Sequence, residues 1–285
     1  KAIISESSKG VKLSGDFDRD IINRLVYYAG SSDGSRYEPT MQSRFERVNG
    51  NGHNRQSTRY SAHGLHEYKG KFNPQIVRAI LNILGIPSGS RVIVPFCGSG
   101  TSLLECAHLG MEATGLDINP LAIFIANTKL SALSVPAAVL REELARSISR
   151  ERSIKVPKKG RDLVREKYLL SWFTPEVYEA IERLRLSIEE ISPPTSAPLL
   201  TIASNLLRDY SLQDPNDLRI RRRKTPLPDK EFIVAYEEAA TQFINNLEDA
   251  QQVISITELK SQAILSDNRE LTEINIGCDE KFDCA

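Results

Sequence analysis

The sequence predicts an α/β protein: a doubly wound, Rossmann-like parallel sheet carrying a large, mainly helical insertion. Three observations predict it. A β-branched run, Arg91–Val94, leads into the glycine turn Gly98-Ser99-Gly100. A helical stretch from Thr101 to Leu109 follows, and a second apolar strand, Glu112–Leu116, then delivers a carboxylate, Asp117, at its carboxyl end. From about 131 to 257 the pattern turns helical, much longer than the few residues that usually join neighbouring sheet elements.

Each element has a local reason. Residues 1–60 are rich in Ser, Gly, Asn and Arg with little periodicity, apart from a short helical pattern over Asp18–Ala29, and are expected to form an amino-terminal arm. Pro74–Leu84 reads as a helix with proline in its first turn. Arg91–Val94 is short, apolar and β-branched, as a central parallel strand buried on both faces would be. Gly110 closes the helix begun at Thr101. Pro136–Ser149, Leu163–Trp172, Pro175–Ile191, Pro198–Tyr210 and Asp229–Ser255 are the candidate helices of the insertion. Residues 258–285 return to the sheet. The expected division is therefore an arm (1–60), a sheet domain in two pieces (61–130 and 258–285) and a helical insertion (131–257).

Composition excludes several classes. The chain has 285 residues, 40% of them hydrophobic and 26% charged, enough to bury a full core. No window approaches the roughly 20 apolar residues of a membrane-crossing helix, so no membrane partner is expected. The four cysteines, Cys97, Cys106, Cys278 and Cys284, lack Cys-x-x-Cys spacing, and the four histidines lack metal spacing. Neither a metal nor a disulfide framework is expected, and the setting reads as cytoplasmic and reducing. His63 and His66 flank the segment ahead of the turn and are candidates for contact with a bound cofactor or for surface and capping roles.

The turn carries the chemistry. Glycine lets the backbone bend sharply and lie close to a ligand, and an acid at the end of the second strand accepts ribose hydroxyls. A dinucleotide turn would place a third glycine where Leu103 stands, and a phosphate loop would need Gly-Lys-Ser/Thr. The turn thus favours S-adenosylmethionine over a dinucleotide.

At Pro95-Phe-Cys-Gly-Ser-Gly-Thr101, Leu103-Leu-Glu105 and Asp117-Ile-Asn-Pro120 the chain resembles the amino-group DNA methyltransferases, which methylate adenine N6 or cytosine N4. His66-Glu-Tyr-Lys-Gly-Lys-Phe-Asn-Pro-Gln75 is similar to the family's segment beside the methionine part of the cofactor. Ser266-Asp-Asn-Arg-Glu-Leu271 is similar to the stretch after its third strand, whose acid, Asp267 here, pairs with the adenine amino group. Phe282–Ala285 looks like the start of the fourth strand, which in the family runs into a catalytic Ser/Asp/Asn-Pro-Pro-Tyr/Phe. The catalytic tetrapeptide is thus expected just after Ala285, in a longer protein. The resemblance implies an S-adenosylmethionine site built from Lys71, Phe72, Pro74, Pro95, Phe96, Cys97, Gly98, Ser99, Gly100, Thr101, Asp117, Ile118, Asn119, Asp267 and Asn268.

One departure stands at the edge of the turn. The family has an acid just before the proline, near the cofactor's ammonium, and this chain has Val94. Valine either continues the buried strand with the fold intact or marks a weakened enzyme. Ser192-Pro-Pro194 is not the catalytic tetrapeptide: an amphipathic helix rather than a strand precedes it, and Thr195 supplies no ring to stack on a flipped base.

Net charge is +0, yet two basic runs are present. Arg219, Arg221, Arg222, Arg223 and Lys224 read as a nucleic-acid contact, because arginine suits phosphate and guanine. Lys155–Lys167 reads equally as solvated surface. Trp172-Phe173 and Tyr210 read as core. The expected function is amino-group methylation of double-stranded DNA with base flipping, in a restriction-modification or phage-defence setting with an endonuclease or defence subunits as partners. An RNA or tRNA base methyltransferase and a catalytically decayed nucleic-acid-binding subunit are the alternatives.

Overall fold

The computed structural model describes residues 58–157, 162–214, 220–253, 260–267, 269 and 282–285, together with the backbone of two short antiparallel hairpins. These pair β1 (Ile3–Ser7) with β2 (Gly10–Ser14) and β3 (Glu46–Arg47) with β4 (Asn54–Arg55). The helical pattern expected over Asp18–Ala29 lies outside the described residues.

A 3-10 turn, Ser61–Gly64, leads to helix α1 (Pro74–Leu84). Asn73 caps α1 by accepting from Gln75 N at 2.9 Å, Pro74 opens it, and Gly85 ends it at φ 70. The same Asn-Pro device starts α3 (Pro120–Ser134), where Asn119 accepts from Leu121 N at 3.0 Å. Between them lie strand β5 (Arg91–Val94), helix α2 (Thr101–His108) and strand β6 (Glu112–Asp117).

Strand β7 (Gln262–Leu265) joins β6 in parallel, so the order is β5-β6-β7. On the free side of β5, Cys284 forms a parallel bridge to Val92. Ile93 N donates to Cys284 O at 2.9 Å and Asp283 N to Arg91 O at 2.8 Å. Residues 282–285 therefore occupy the place of a fourth strand, across β5 from β6. The outer edge of β7 is closed by an amide: Asn127 of α3 donates to Ala263 O and accepts from Ala263 N, both at 2.8 Å. This satisfies backbone groups that would otherwise template another strand.

One face of the sheet, with Val92, Ala113, Gly115 and Ala263, is buried under α2 and α3. On the other face Ile93, Thr114 and Ile264 are only half-buried. The segment expected to be helical holds α4 (Ala137–Glu151), α5 (Leu163–Leu170), α6 (Pro175–Glu189), α7 (Ser196–Tyr210) and α8 (Phe232–Val253). Helix α8 packs on the 3-10 turn and on α4, α6 and α7, while α7 packs on α3. A single apolar cluster runs from Val92 and Leu103 through Leu140 and Leu184 to Phe243 and Leu247. The helices are thus part of one core with the sheet. Phe173 and Tyr210 belong to the buried set, the latter donating its hydroxyl to Lys230 O at 2.8 Å. Among the described residues no single helix is long and apolar enough to cross a membrane.

Candidate cofactor site

The turn between β5 and α2 is held by backbone bonds to β6. Cys97 N donates to Leu116 O and Gly100 N to Cys97 O, each at 2.9 Å. Gly98 (φ 50) and Gly100 (φ 81) take left-handed conformations. At Gly100 a second constraint applies, since a Cβ would lie 2.8 Å from the Ala126 Cβ of α3. Leu103, where a dinucleotide turn has glycine, also finds its explanation: a Cβ on Gly115 of β6 would lie 2.6 Å from Leu103 Cδ1 and 2.7 Å from Cys97 Cβ. Close helix–strand approach is kept, with the glycine on the strand instead of the helix.

Asp117 closes the turn from the other side. Its Oδ2 accepts from Gly98 N and its Oδ1 from Asn119 N, each at 2.9 Å. A carboxylate has about four lone-pair sites, so both oxygens keep capacity for ribose hydroxyls. Two cavities meet here. One, of about 370 Å³, is lined by Phe96, Asp117, Ile118, Ser266, Asp267 and Arg269. The other, of about 240 Å³, is lined by Tyr68, Gly70, Lys71, Phe72, Phe96, Cys97, Gly98, Ser99, Thr101 and Ser102. Phe96, 80% exposed, is common to both. The larger falls at the lower end of small-ligand pockets, roughly 300–1,000 Å³, and the smaller lies just below it.

The structure thus gathers Lys71, Phe72, Phe96, Cys97, Gly98, Ser99, Thr101, Asp117, Ile118 and Asp267 around the two cavities. Four other candidates line neither, and each has a structural task. Pro74 is buried at the start of α1, Pro95 turns the chain out of β5, Gly100 is pressed against Ala126, and Asn119 caps α3 while donating to the Tyr68 hydroxyl at 3.0 Å. Asn268 lies outside the described residues. Arg269 grips Asp267 through its Nε (3.0 Å) and Nη2 (2.5 Å), and these bonds bring the carboxyl down to about 2. Burial pushes the Cys97 thiol up to about 12, with Asp117 adding to it, so this cysteine is a packed thiol and not a nucleophile. Val94 ends β5 opposite Gly115, packed against the core.

His63 does not meet the cavities, which corrects its candidacy for cofactor contact. It is fully buried, and its Nε2 donates to Glu105 Oε1 at 2.7 Å. The same oxygen accepts from the Tyr60 hydroxyl at 2.7 Å, and Glu105 Oε2 accepts from Arg78 Nε at 2.5 Å. Arg78 also donates to His108 Nδ1 at 3.0 Å, which leaves the His108 proton on Nε2, facing Ser61 Oγ at 3.0 Å. Burial opposes the Glu105 charge, and the Arg78 guanidinium overrides it and holds the carboxyl well below the usual range. Burial pushes His63 down to about 3, so its ring is neutral. Ligand atoms of His63, Glu105 and His108 lie within 4.8 Å of one another. Arg78 already neutralises the carboxylate there, and His108 Nδ1 is engaged as its acceptor, so the group reads as a structural junction. Sequence spacing hid it, because Tyr60 and His63 stand 45 and 42 residues from Glu105, and Arg78 stands 27 residues from it. His66 Nδ1 turns to Glu67 O at 2.7 Å and lines neither cavity.

A second buried group was missed altogether. Lys129 of α3 is fully buried, and its Nζ donates to Ser99 O at 3.0 Å and Ser99 Oγ at 3.3 Å. Burial, with Lys71 adding to it, brings its ammonium down to about 7. The signal was present: Lys129 is the one charged residue in the apolar stretch of α3.

The arginine run divides by role. Arg222 stacks its guanidinium 5.5 Å above the Trp172 ring and donates to Ser171 O at 2.8 Å. Arg223 donates to Asp209 O at 2.8 Å and Ser211 O at 3.1 Å, closing the end of α7. Its backbone and that of Arg221 pair with Leu212 and Asp214. Arg221, Arg222 and Lys224 are exposed, and Arg219 lies outside the described residues.

Fold and turn together define a methyltransferase domain of the α/β type. Residues 64–156 match the RMKL-like methyltransferase domain family. The Type II methyltransferase M.MjaII of Methanocaldococcus jannaschii is 42% identical over 73 residues, 26% of this chain and 14% of that protein. The Type II methyltransferase M.AvaI of Nostoc sp. is 26% identical over 203 residues, 67% of this chain and 41% of that protein. The tRNA (guanine(10)-N2)-dimethyltransferase of Methanothermobacter thermautotrophicus is 36% identical over 52 residues, 18% of this chain and 16% of that protein. The chain spans less than half the length of these relatives. Over the matched residues it is similar to S-adenosylmethionine-dependent amino-methyltransferases.

Proposed function

We propose that this chain holds S-adenosylmethionine for methylation of an exocyclic base amino group in DNA, adenine N6 or cytosine N4. The observation that carries the reading is the glycine turn tied to Asp117 between two cavities that share Phe96. The residues fit the cofactor. Gly98 leaves an open cradle, its nearest neighbour beyond the turn being Tyr68 Cε1 at 3.8 Å from a built Cβ. Asp117 serves the ribose, Ile118 and Asp267 the adenine, and Lys71, Phe72 and the turn the amino-acid end. When bound, the cofactor supplies an electrophilic methyl group on a sulfonium.

The protein's part is positioning. Backbone bonds fix the turn, Phe96 lies exposed between the cavities, and the Cys284 bridge sets a fourth strand beside β5. On this reading the sheet is doubly wound, the order reverses at β5, and the target base rotates out of the duplex to reach the methyl group. Helices α4–α8 are then an insertion that presents Arg221, Arg222 and Lys224 to the phosphates. Restriction-modification or phage defence is the setting that the Type II relatives favour, with an endonuclease or defence subunits as partners and a cytoplasmic location.

Transfer of a tritiated methyl group from S-adenosylmethionine by the full-length protein, offered DNA and tRNA in parallel, tests the proposal. Label entering DNA at an amino nitrogen is expected. Label in tRNA alone would favour the second reading, an RNA base methyltransferase, which the similarity to the tRNA enzyme supports. On the DNA reading, Arg221→Ala/Lys224→Ala lowers the salt slope of DNA binding by roughly one to two. An unchanged slope removes those residues from the interface.

A further inference from the structure

Lys129 has no carboxylate partner among the described residues. Its ammonium is wholly removed from water and meets only the carbonyl and hydroxyl of Ser99. A buried cation with neutral acceptors alone is an expensive arrangement. Replacing it by an apolar side chain would relieve that cost, so its presence calls for a task. Its position supplies one. Ser99 is the middle residue of the glycine turn and lines the smaller cavity, whose lining does not include Asp117. Lys129 approaches that residue from behind, out of α3, without lining the cavity itself.

The charges around the smaller cavity point the same way. Its lining contains a single ionised side chain, Lys71, and no carboxylate. The acid that the family places just before the proline is Val94 here. With Lys129 directly behind Ser99, two lysines stand at this end of the site, and the Glu67 carboxylate acts on both from outside the cavity lining. Inside the lining itself the charge is positive, which suits the carboxylate of an entering amino-acid group.

We propose that Lys129 is a positioning residue that holds Ser99 by carbonyl and hydroxyl and biases the smaller cavity toward the carboxylate end of the cofactor. The proposal rests on the cofactor reading above. It assigns to this chain a positive support beneath the turn in place of an acid at its edge. Burial brings the Lys129 ammonium down to about 7, and an anion in the cavity pulls it back toward the charged form.

Calorimetric titration of the full chain with S-adenosylhomocysteine and with 5′-methylthioadenosine tests this. The second ligand has the nucleoside and thioether but no amino-acid end. Lys129→Met keeps the side chain's length and removes its charge. The expected result is about tenfold weaker S-adenosylhomocysteine binding, the loss of one charge-assisted hydrogen bond, with 5′-methylthioadenosine unchanged and the melting temperature held or raised. Lys129→Gln, expected to give the same ratio, serves if the methionine variant does not fold. Equal weakening of both ligands would reduce Lys129 to a general structural role and overturn the proposal, as would no weakening of either. If wild-type protein binds neither ligand, the cofactor reading itself fails, which is a different result from a wild type that binds and variants that match it.

Discussion

At its N-terminal end helix α2 begins on Gly100, packed against Ala126, with the open turn before it. At its C-terminal end Glu105 and His108 sit in full burial, bound to Tyr60, His63 and Arg78. The first end is shaped by residues that lack side-chain bulk and by backbone bonds, so it leaves room and donors facing a ligand. The second is filled by hydrogen bonds among fully buried side chains around the Glu105 carboxylate. The pairing shows how one short helix serves two needs. The buried end fixes where α2 lies against α1 and the 3-10 turn, and this lets the other end stay open without losing its geometry.

The largest effect should come from breaking the buried end. Glu105→Ala leaves the Arg78 guanidinium buried without its carboxylate, at a cost of about 3–5 kcal/mol. Urea unfolding would show it, and a variant as stable as wild type would mean that the junction anchors nothing. Acid attacks the same end with a defined sign. His63, with its pKa lowered from 6.5 to about 3, stays neutral while the unfolded chain takes up a proton. Glu105, held below its usual range, stays ionised in the folded protein. Stability is therefore full above about pH 6.5 and falls as pH drops toward 3. Urea midpoints measured from pH 7 to pH 4 should decline in wild type and decline less in His63→Gln.

The open end responds to bulk. Gly100→Ala adds a Cβ at φ 81 only 2.8 Å from Ala126, which should cost about 1–3 kcal/mol. It should also weaken S-adenosylmethionine binding more than Glu105→Gln does; the reverse ranking would break the division of labour between the two ends. The smallest effect concerns the edge of the turn. Val94→Asp restores a carboxylate near the cofactor's ammonium and should tighten binding by about 1.5–3 kcal/mol, less the cost of burying the acid at a position packed against the core. Calorimetry that finds equal affinity would show that Lys129 and Lys71, not the missing acid, govern this end.

The two ends also differ in how much of them the sequence reveals. The turn is local: Arg91–Val94, Gly98, Gly100 and Asp117 lie within one βαβ unit, and each has a backbone reason that can be read from residue type. The proline start of α1 and the limits of the later helices were legible for the same reason, to within a few residues, whereas α3 was not read as a helix. The junction was not, because Tyr60, Arg78 and Glu105 become neighbours only when three segments pack. Lys129 lies just ahead of the stretch read as helical, and nothing local in the sequence places it on the underside of the turn. Arg222 and Arg223 read as nucleic-acid contacts because sequence cannot show that carbonyls of Ser171, Asp209 and Ser211 lie within their reach.

Gly100 against Ala126, and Gly115 against Leu103 and Cys97, have a consequence for anyone who transplants this turn. The loop is not a portable motif. Its path is moulded on one side by the middle of α3 and on the other by a bare position in β6. A graft of residues 95–101 alone would land on a foreign helix and strand and take another shape. The smallest transferable unit runs from β5 through α3, and within it positions 100 and 126, like 103 and 115, must be changed as pairs.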